Sequence, residues 1–201
     1  MNGKNIFHVL GLYLDKLERA FQLDSADLVR LHHEKAAAAI KRGAYDSAIA
    51  LSQKALKVNV DDLEANYQLG VAYMGNRMVE EAVGSFKKVL KLDPERAGAH
   101  YRLGVLYDKS GAIDSALASF KKAIKLEPDR ADFYYTLGIA QDKNGEQKKA
   151  IESLNKAIEL APGVDKYHYR LGLIYDGQGE HEKAVEAFKK ASEAEEAELQ
   201  H

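Results

Sequence analysis

The chain has 201 residues, 46% of them hydrophobic and 30% charged, which is too apolar for a disordered chain and long enough for one or two globular units. Its 29 basic and 31 acidic side chains leave a formal net charge of −2, so no basic field is available to hold a nucleic-acid backbone. The lack of cysteine excludes disulfides, thiolate metal sites and cysteine nucleophiles, and it fits a reducing compartment.

In chain order, Ile6, Leu10, Tyr13, Leu14, Leu17 and Phe21 come first, spaced to share one face of a helix. The apolar stretch from Phe7 to Leu14 is short, is interrupted by His8, and runs at once into Asp15, Lys16, Glu18 and Arg19. Neither a targeting segment nor a membrane span is expected, and the chain reads as soluble and cytoplasmic. Residues 17–24 (LERAFQLD) resemble residues 120–127 (FKKAIKLE). Residues 1–28 therefore read either as an end cap on the chain from residue 29 onward or as an incomplete repeat that docks elsewhere, for example on a second copy. The six apolar residues are the candidates for self-association.

Beyond residue 28 the chain repeats. Its three prolines, Pro94, Pro128 and Pro162, are spaced by 34 residues. The same shift aligns Leu69-Gly70, Leu103-Gly104, Leu137-Gly138 and Leu171-Gly172. It also aligns Tyr73, Tyr107 and Tyr175, with Gln141 at the fourth place, and Ala48, Ala82, Ala116, Ala150 and Ala184. Phe86, Phe120, Leu154 and Phe188 follow four residues after that alanine series, and Gly43, Gly111, Gly145 and Gly179 form a second glycine series. Five units are expected, 29–62, 63–96, 97–130, 131–164 and 165–198, with 199–201 as a tail.

Each unit predicts two amphipathic helices. In 97–130, Leu103, Leu106 and Tyr107 make the first apolar stripe, Gly111 marks the turn, and Ala116, Leu117, Phe120, Ala123, Ile124 and Leu126 make the second. Pro128 stops the second helix. Gly104 and Ala116 are expected where the two helices approach closely, and Phe120 and Tyr107 between neighbouring hairpins. The first unit is degenerate, with Lys35-Ala36 for Leu-Gly, Ser52 for the aromatic and Val60 for proline. The chain closes on Glu193, Glu195, Glu196 and Glu198, which suit a solvated last helix.

Leu-Gly-x-x-Tyr, then Ala-x-x-x-Phe-x-x-Ala, then Pro, at a period of 34, resembles the tetratricopeptide repeat. The resemblance implies an all-α, right-handed superhelical solenoid of five helical hairpins plus the N-terminal helix or half-repeat. It also implies that the first helix of each hairpin lines a concave groove. That face would carry Tyr67, Tyr101, Tyr135 and Tyr169, then Val71, Val105, Ile139 and Leu173, then Met74, Asp108, Asp142 and Asp176. Tyrosine is large, fairly rigid and bears a hydroxyl, so a partner peptide or helix with apolar anchors and basic residues would suit the face. Packing between the helices is the other reading of the same ladders.

Members of the family that clamp acidic chaperone tails use Lys and Asn where this chain has His33, Tyr67 and Tyr101 with Ala37, Val71 and Val105, so no carboxylate clamp is expected. Arg102 and Arg170 remain as single anion contacts. No phosphate loop, dinucleotide fingerprint, metalloprotease motif or serine elbow occurs, so neither catalysis nor a cofactor is expected. His32 and His33 are adjacent and point apart, while His100 and His168 lie two units apart. No metal is expected.

The segment from Ala20-Phe21 through Asp24–Asp27 to LHHEK (31–35), with KRGAYDSA (41–48) and HEKA (181–184), is similar to the magnetosome-associated branch of the family. That likeness implies a self-assembling homo-oligomer, coating the magnetosome membrane peripherally from the cytoplasm through protein partners. A monomeric adaptor in another cytoplasmic complex is the alternative.

Overall fold

The structure, a computed structural model, describes residues 24–198. Those residues form ten α-helices and no strand, in two compact units that divide between Leu92 and Asp93.

In the first unit, α1 (Ser25–Lys41) pairs with α2 (Tyr45–Val58), and α3 (Leu63–Gly75) with α4 (Val79–Leu92). Helix α1 starts ahead of residue 29 because the Asp24 carboxylate accepts the Asp27 N–H at 2.7 Å, satisfying one orphan donor of the first turn. Asp62 caps α3 in the same way, accepting from the Ala65 N–H at 2.7 Å.

In the second unit, α5 (Ala97–Lys109) pairs with α6 (Ile113–Leu126), α7 (Ala131–Lys143) with α8 (Gln147–Leu160), and α9 (Asp165–Gly177) with α10 (His181–Glu198). Helices α6 and α8 also pack on the first helices of the hairpins that come after them.

The turn inside each hairpin closes by one device. An N–H three residues past the helix end reaches back five residues, as from Ala112 to the Tyr107 carbonyl and from Glu180 to the Tyr175 carbonyl, both at 2.9 Å. The residue before that donor must adopt positive φ. Gly43, Gly111, Gly145 and Gly179 do so at 70–79°. The second hairpin breaks the series, since Arg77 takes φ 62° there and carries the Cβ penalty.

The Leu-Gly positions are explained by rings. A Cβ on Gly104 would stand 2.6 Å from the Phe120 ring, one on Gly172 2.6 Å from Phe188, and one on Gly70 2.9 Å from Phe86. In the fourth hairpin Leu154 replaces the ring, and Gly138 then faces its Cγ at 3.0 Å and the Ala150 carbonyl at 3.1 Å. Phe86, Phe120 and Leu154 are fully buried, as are Ala82, Ala116 and Ala150. Each large side chain buried in this way contributes about 1.5–3 kcal/mol. Phe120 packs both inside its own hairpin and against Leu137 and Ala140 of the next, so it spans the interface as its position in the repeat predicts.

The departures from the repeat are locally compensated. Gln141, standing where the other units have tyrosine, is buried and accepts from the Ser153 hydroxyl at 2.7 Å. His100 and His168 tie the proline turns, each ring Nε2 donating to a proline carbonyl, Pro94 at 2.9 Å and Pro162 at 3.0 Å. Asn66, at the same repeat position, donates to the Val60 carbonyl at 3.2 Å.

Candidate interaction surface

In the first unit, Tyr67 lies edge-on to Phe86 with ring centroids 5.7 Å apart, and Val71 and Met74 are half-buried beyond it. His33, at the same repeat position one hairpin earlier, lies with its Nε2 2.9 Å from Asp62, the capping residue of the second hairpin.

In the second unit the tyrosines are only half on the surface. Tyr101 stacks on Phe133 of the next hairpin (centroids 4.6 Å, planes 18° apart) and leans on Phe120 at 5.8 Å. Its hydroxyl meets the Thr136 hydroxyl at 3.1 Å. Tyr135 tilts against Tyr167 at 4.9 Å. Burial holds the Tyr135 phenol above its ordinary value despite the opposing charge of Arg170, and burial likewise raises Tyr167. Tyr169 leans on Phe188 at 5.5 Å and is 54% exposed. Val105 and Ile139 are half-buried, whereas Leu173 is exposed. The rings of Tyr101 and Tyr135 therefore join one hairpin to the next, while these residues and the aliphatic series stay partly exposed.

The aspartates are arranged differently from a free acidic edge. Lys143 donates to Asp108 at 2.7 Å and Arg170 donates to Asp142 at 2.6 Å, each pair crossing from one hairpin to the next. Asp176 faces the exposed ring of His181 at 3.1 Å. Two of the three acidic residues thus already have cationic partners within the fold. Arg170 is one of those partners, and Arg102 is half-buried on α5.

Phe133, Tyr167 and Thr136, which the ladders lean on, are not picked out by the sequence alone. The 34-residue spacing of Phe133 and Tyr167 was the available signal. The self-association candidates Ile6, Leu10, Tyr13, Leu14, Leu17 and Phe21 lie outside the described residues. Among the described residues, no group of three or more His, Cys, Asp or Glu side chains could hold a metal ion, and no helix is long and apolar enough to cross a membrane.

Paired helices with a glycine seated under an aromatic ring, repeated every 34 residues and presenting half-exposed tyrosines, define a helical-repeat scaffold for protein interactions. Tetratricopeptide repeat models match residues 33–97, 67–124, 101–165 and 165–198, and the chain belongs to the tetratricopeptide repeat family. Its solved neighbours include MamA. One crystal structure of MamA is 35% identical, with 83% of this chain and 97% of that chain covered at a TM-score of 0.76. A MamA structure from Desulfovibrio magneticus RS-1 is 32% identical over 85% of this chain and 97% of that one, at a TM-score of 0.78. YrrB, described as a tetratricopeptide repeat protein with an unusual peptide-binding site, shares the fold at 23% identity and a TM-score of 0.70, over 90% of this chain and 91% of its own. No curated protein sequence matches the chain.

Proposed function

We propose that the chain is a self-assembling MamA-like scaffold in the cytoplasm that coats the magnetosome membrane peripherally and recruits partner proteins there. The observation that carries this reading is the likeness to MamA over more than four-fifths of the chain at 32–35% identity. Partner peptides or helices bind along the first helices of the hairpins within each unit, over Tyr67 and Val71 in the first and over Tyr101, Tyr135, Tyr169, Val105, Ile139 and Leu173 in the second. Met74 borders this face in the first unit, and Arg102 and Arg170 border it in the second. Asp176 is the acidic residue best placed to meet a basic ligand, since Asp108 and Asp142 are held internally. Assembly uses the apolar residues of the N-terminal segment, in a heterologous contact that propagates from copy to copy.

Size exclusion with light scattering on the full chain and on a chain beginning at Asp24 tests the assembly. Starting at Asp24 keeps the cap of α1 intact. Large assemblies for the full chain and monomers for the shortened one are expected. Monomers for both would sink self-assembly and favour a monomeric adaptor.

A further inference from the structure

The last hairpin carries a socket whose two counterparts inside the second unit are filled. Phe133, the third residue of α7, sits on Ala97, Ala123 and the ring of Tyr101. Arg130, just before the helix, lies 4.7 Å over the Phe133 ring, donates twice to Asp132 at 2.8 and 3.0 Å, and bonds Glu127 at 3.2 Å. One hairpin later, Tyr167, the third residue of α9, packs on Tyr135, and the Lys166 ammonium stands 5.4 and 5.6 Å from the two rings. Each filled socket thus receives an aromatic side chain from the first turn of a helix, with a cation three residues ahead of it at Phe133 and directly ahead of it at Tyr167; only the Phe133 socket has a glutamate, Glu127, at the rim.

The corresponding residues of the last hairpin surround a cavity of about 250 Å³, lined by Asp165, Tyr169, Phe188, Ala191, Ser192 and Glu195. Tyr169, Ala191 and Glu195 stand at the same repeat positions as Tyr101, Ala123 and Glu127. Tyr169 is more than half exposed, whereas Tyr101 and Tyr135 are half-buried under their aromatic neighbours. The floor is apolar and the rim is acidic.

We infer that this socket docks a partner protein through a helix whose first turn reads Arg-x-x-Phe, the spacing of Arg130 and Phe133 at the socket whose rim carries Glu127. The aromatic side chain enters over Tyr169 as Phe133 does over Tyr101, and the cation meets Glu195 as Arg130 meets Glu127. The site shares only Tyr169 with the first-helix ladders and stands whether or not those ladders bind peptide.

The probe is a labelled peptide of residues 127–145 of this chain, titrated into the full chain and read by fluorescence anisotropy. Saturable binding is expected, with Phe133→Ala in the peptide weakening it by about tenfold or more. Glu195→Lys in the protein, at an exposed position, should weaken it about two- to fivefold, and Arg130→Glu in the peptide should restore affinity for that variant. No saturable binding, equal binding of the Phe133→Ala peptide, or no rescue by the charge swap each overturns the proposal. Light scattering on the Glu195→Lys chain is the last check. If an oligomer of the unaltered chain falls to monomer, a second copy holds the socket and the partner-helix assignment is overturned.

Discussion

Arg170 on α9 donates to Asp142 on α7 at 2.6 Å, with both side chains about three-quarters shielded from solvent. The bond crosses from one hairpin to the next, so the aspartate works as a tie within the array. Asp142→Ala should leave the guanidinium without this acceptor and cost about 1–2 kcal/mol. Amide hydrogen exchange is the suitable measurement, because a repeat array need not unfold in one step. Protection in α9 and α10 should fall. Asp176→Ala, which removes an exposed contact with His181, should leave it unchanged, and equal losses would refute the distinction.

Gly104→Ala tests the close approach of α5 and α6. The added Cβ would stand 2.6 Å from the fully buried Phe120 ring, which must shift to admit it, so a loss of about 1–3 kcal/mol is expected. Gly84→Ala is the matched control. It lies within α4, nothing stands within 4 Å of its Cβ, and the change should stabilise that helix by about 0.5–1 kcal/mol. Thermal unfolding midpoints moving in the same direction would contradict the packing argument.

Arg77→Gly should stabilise the first unit. Arg77 is exposed and holds φ 62° where the other four hairpins use glycine. Relief of the left-handed strain, less the added freedom of the unfolded glycine, leaves a net gain of about 0.5–1 kcal/mol. Calorimetry on the variant would show a raised midpoint. A fall would mean that the arginine side chain contributes more than its backbone costs.

Alkaline pH should weaken the second unit. Burial raises the phenol pKa of Tyr135 and of Tyr167 above the unfolded value of about 10. The folded chain therefore keeps protons that the unfolded chain loses. The associated stability is complete below that unfolded value and disappears as pH climbs through the folded values. Tyr135→Phe with Tyr167→Phe should flatten the alkaline fall of the melting temperature, and phenolate absorbance should lose its latest-titrating component. An unchanged alkaline limb would assign the loss to other groups.

The amino-acid sequence by itself determined the local units. Three prolines at equal spacing, a glycine at each tight turn but one, and apolar stripes of helical period specify paired helices, because each of these acts over one or two turns of chain. The 34-residue period also determined which positions are equivalent, although it set Gly104 against Ala116, whereas in the folded chain the nearest side chain to Gly104 is the Phe120 ring. It did not determine what equivalent positions touch. Tyr101, Asp108 and Asp142 look like one face waiting for a ligand when read along a single helix. In the folded chain Phe133 covers one ring face of Tyr101, and Lys143 and Arg170 occupy the aspartates. Those partners arrive from the next hairpin, about 30 residues further along the chain. Only the packing of one hairpin on another decides which ladder atoms are spent on cohesion and which, at Tyr169 and Glu195, face a cavity that no later hairpin fills among the described residues.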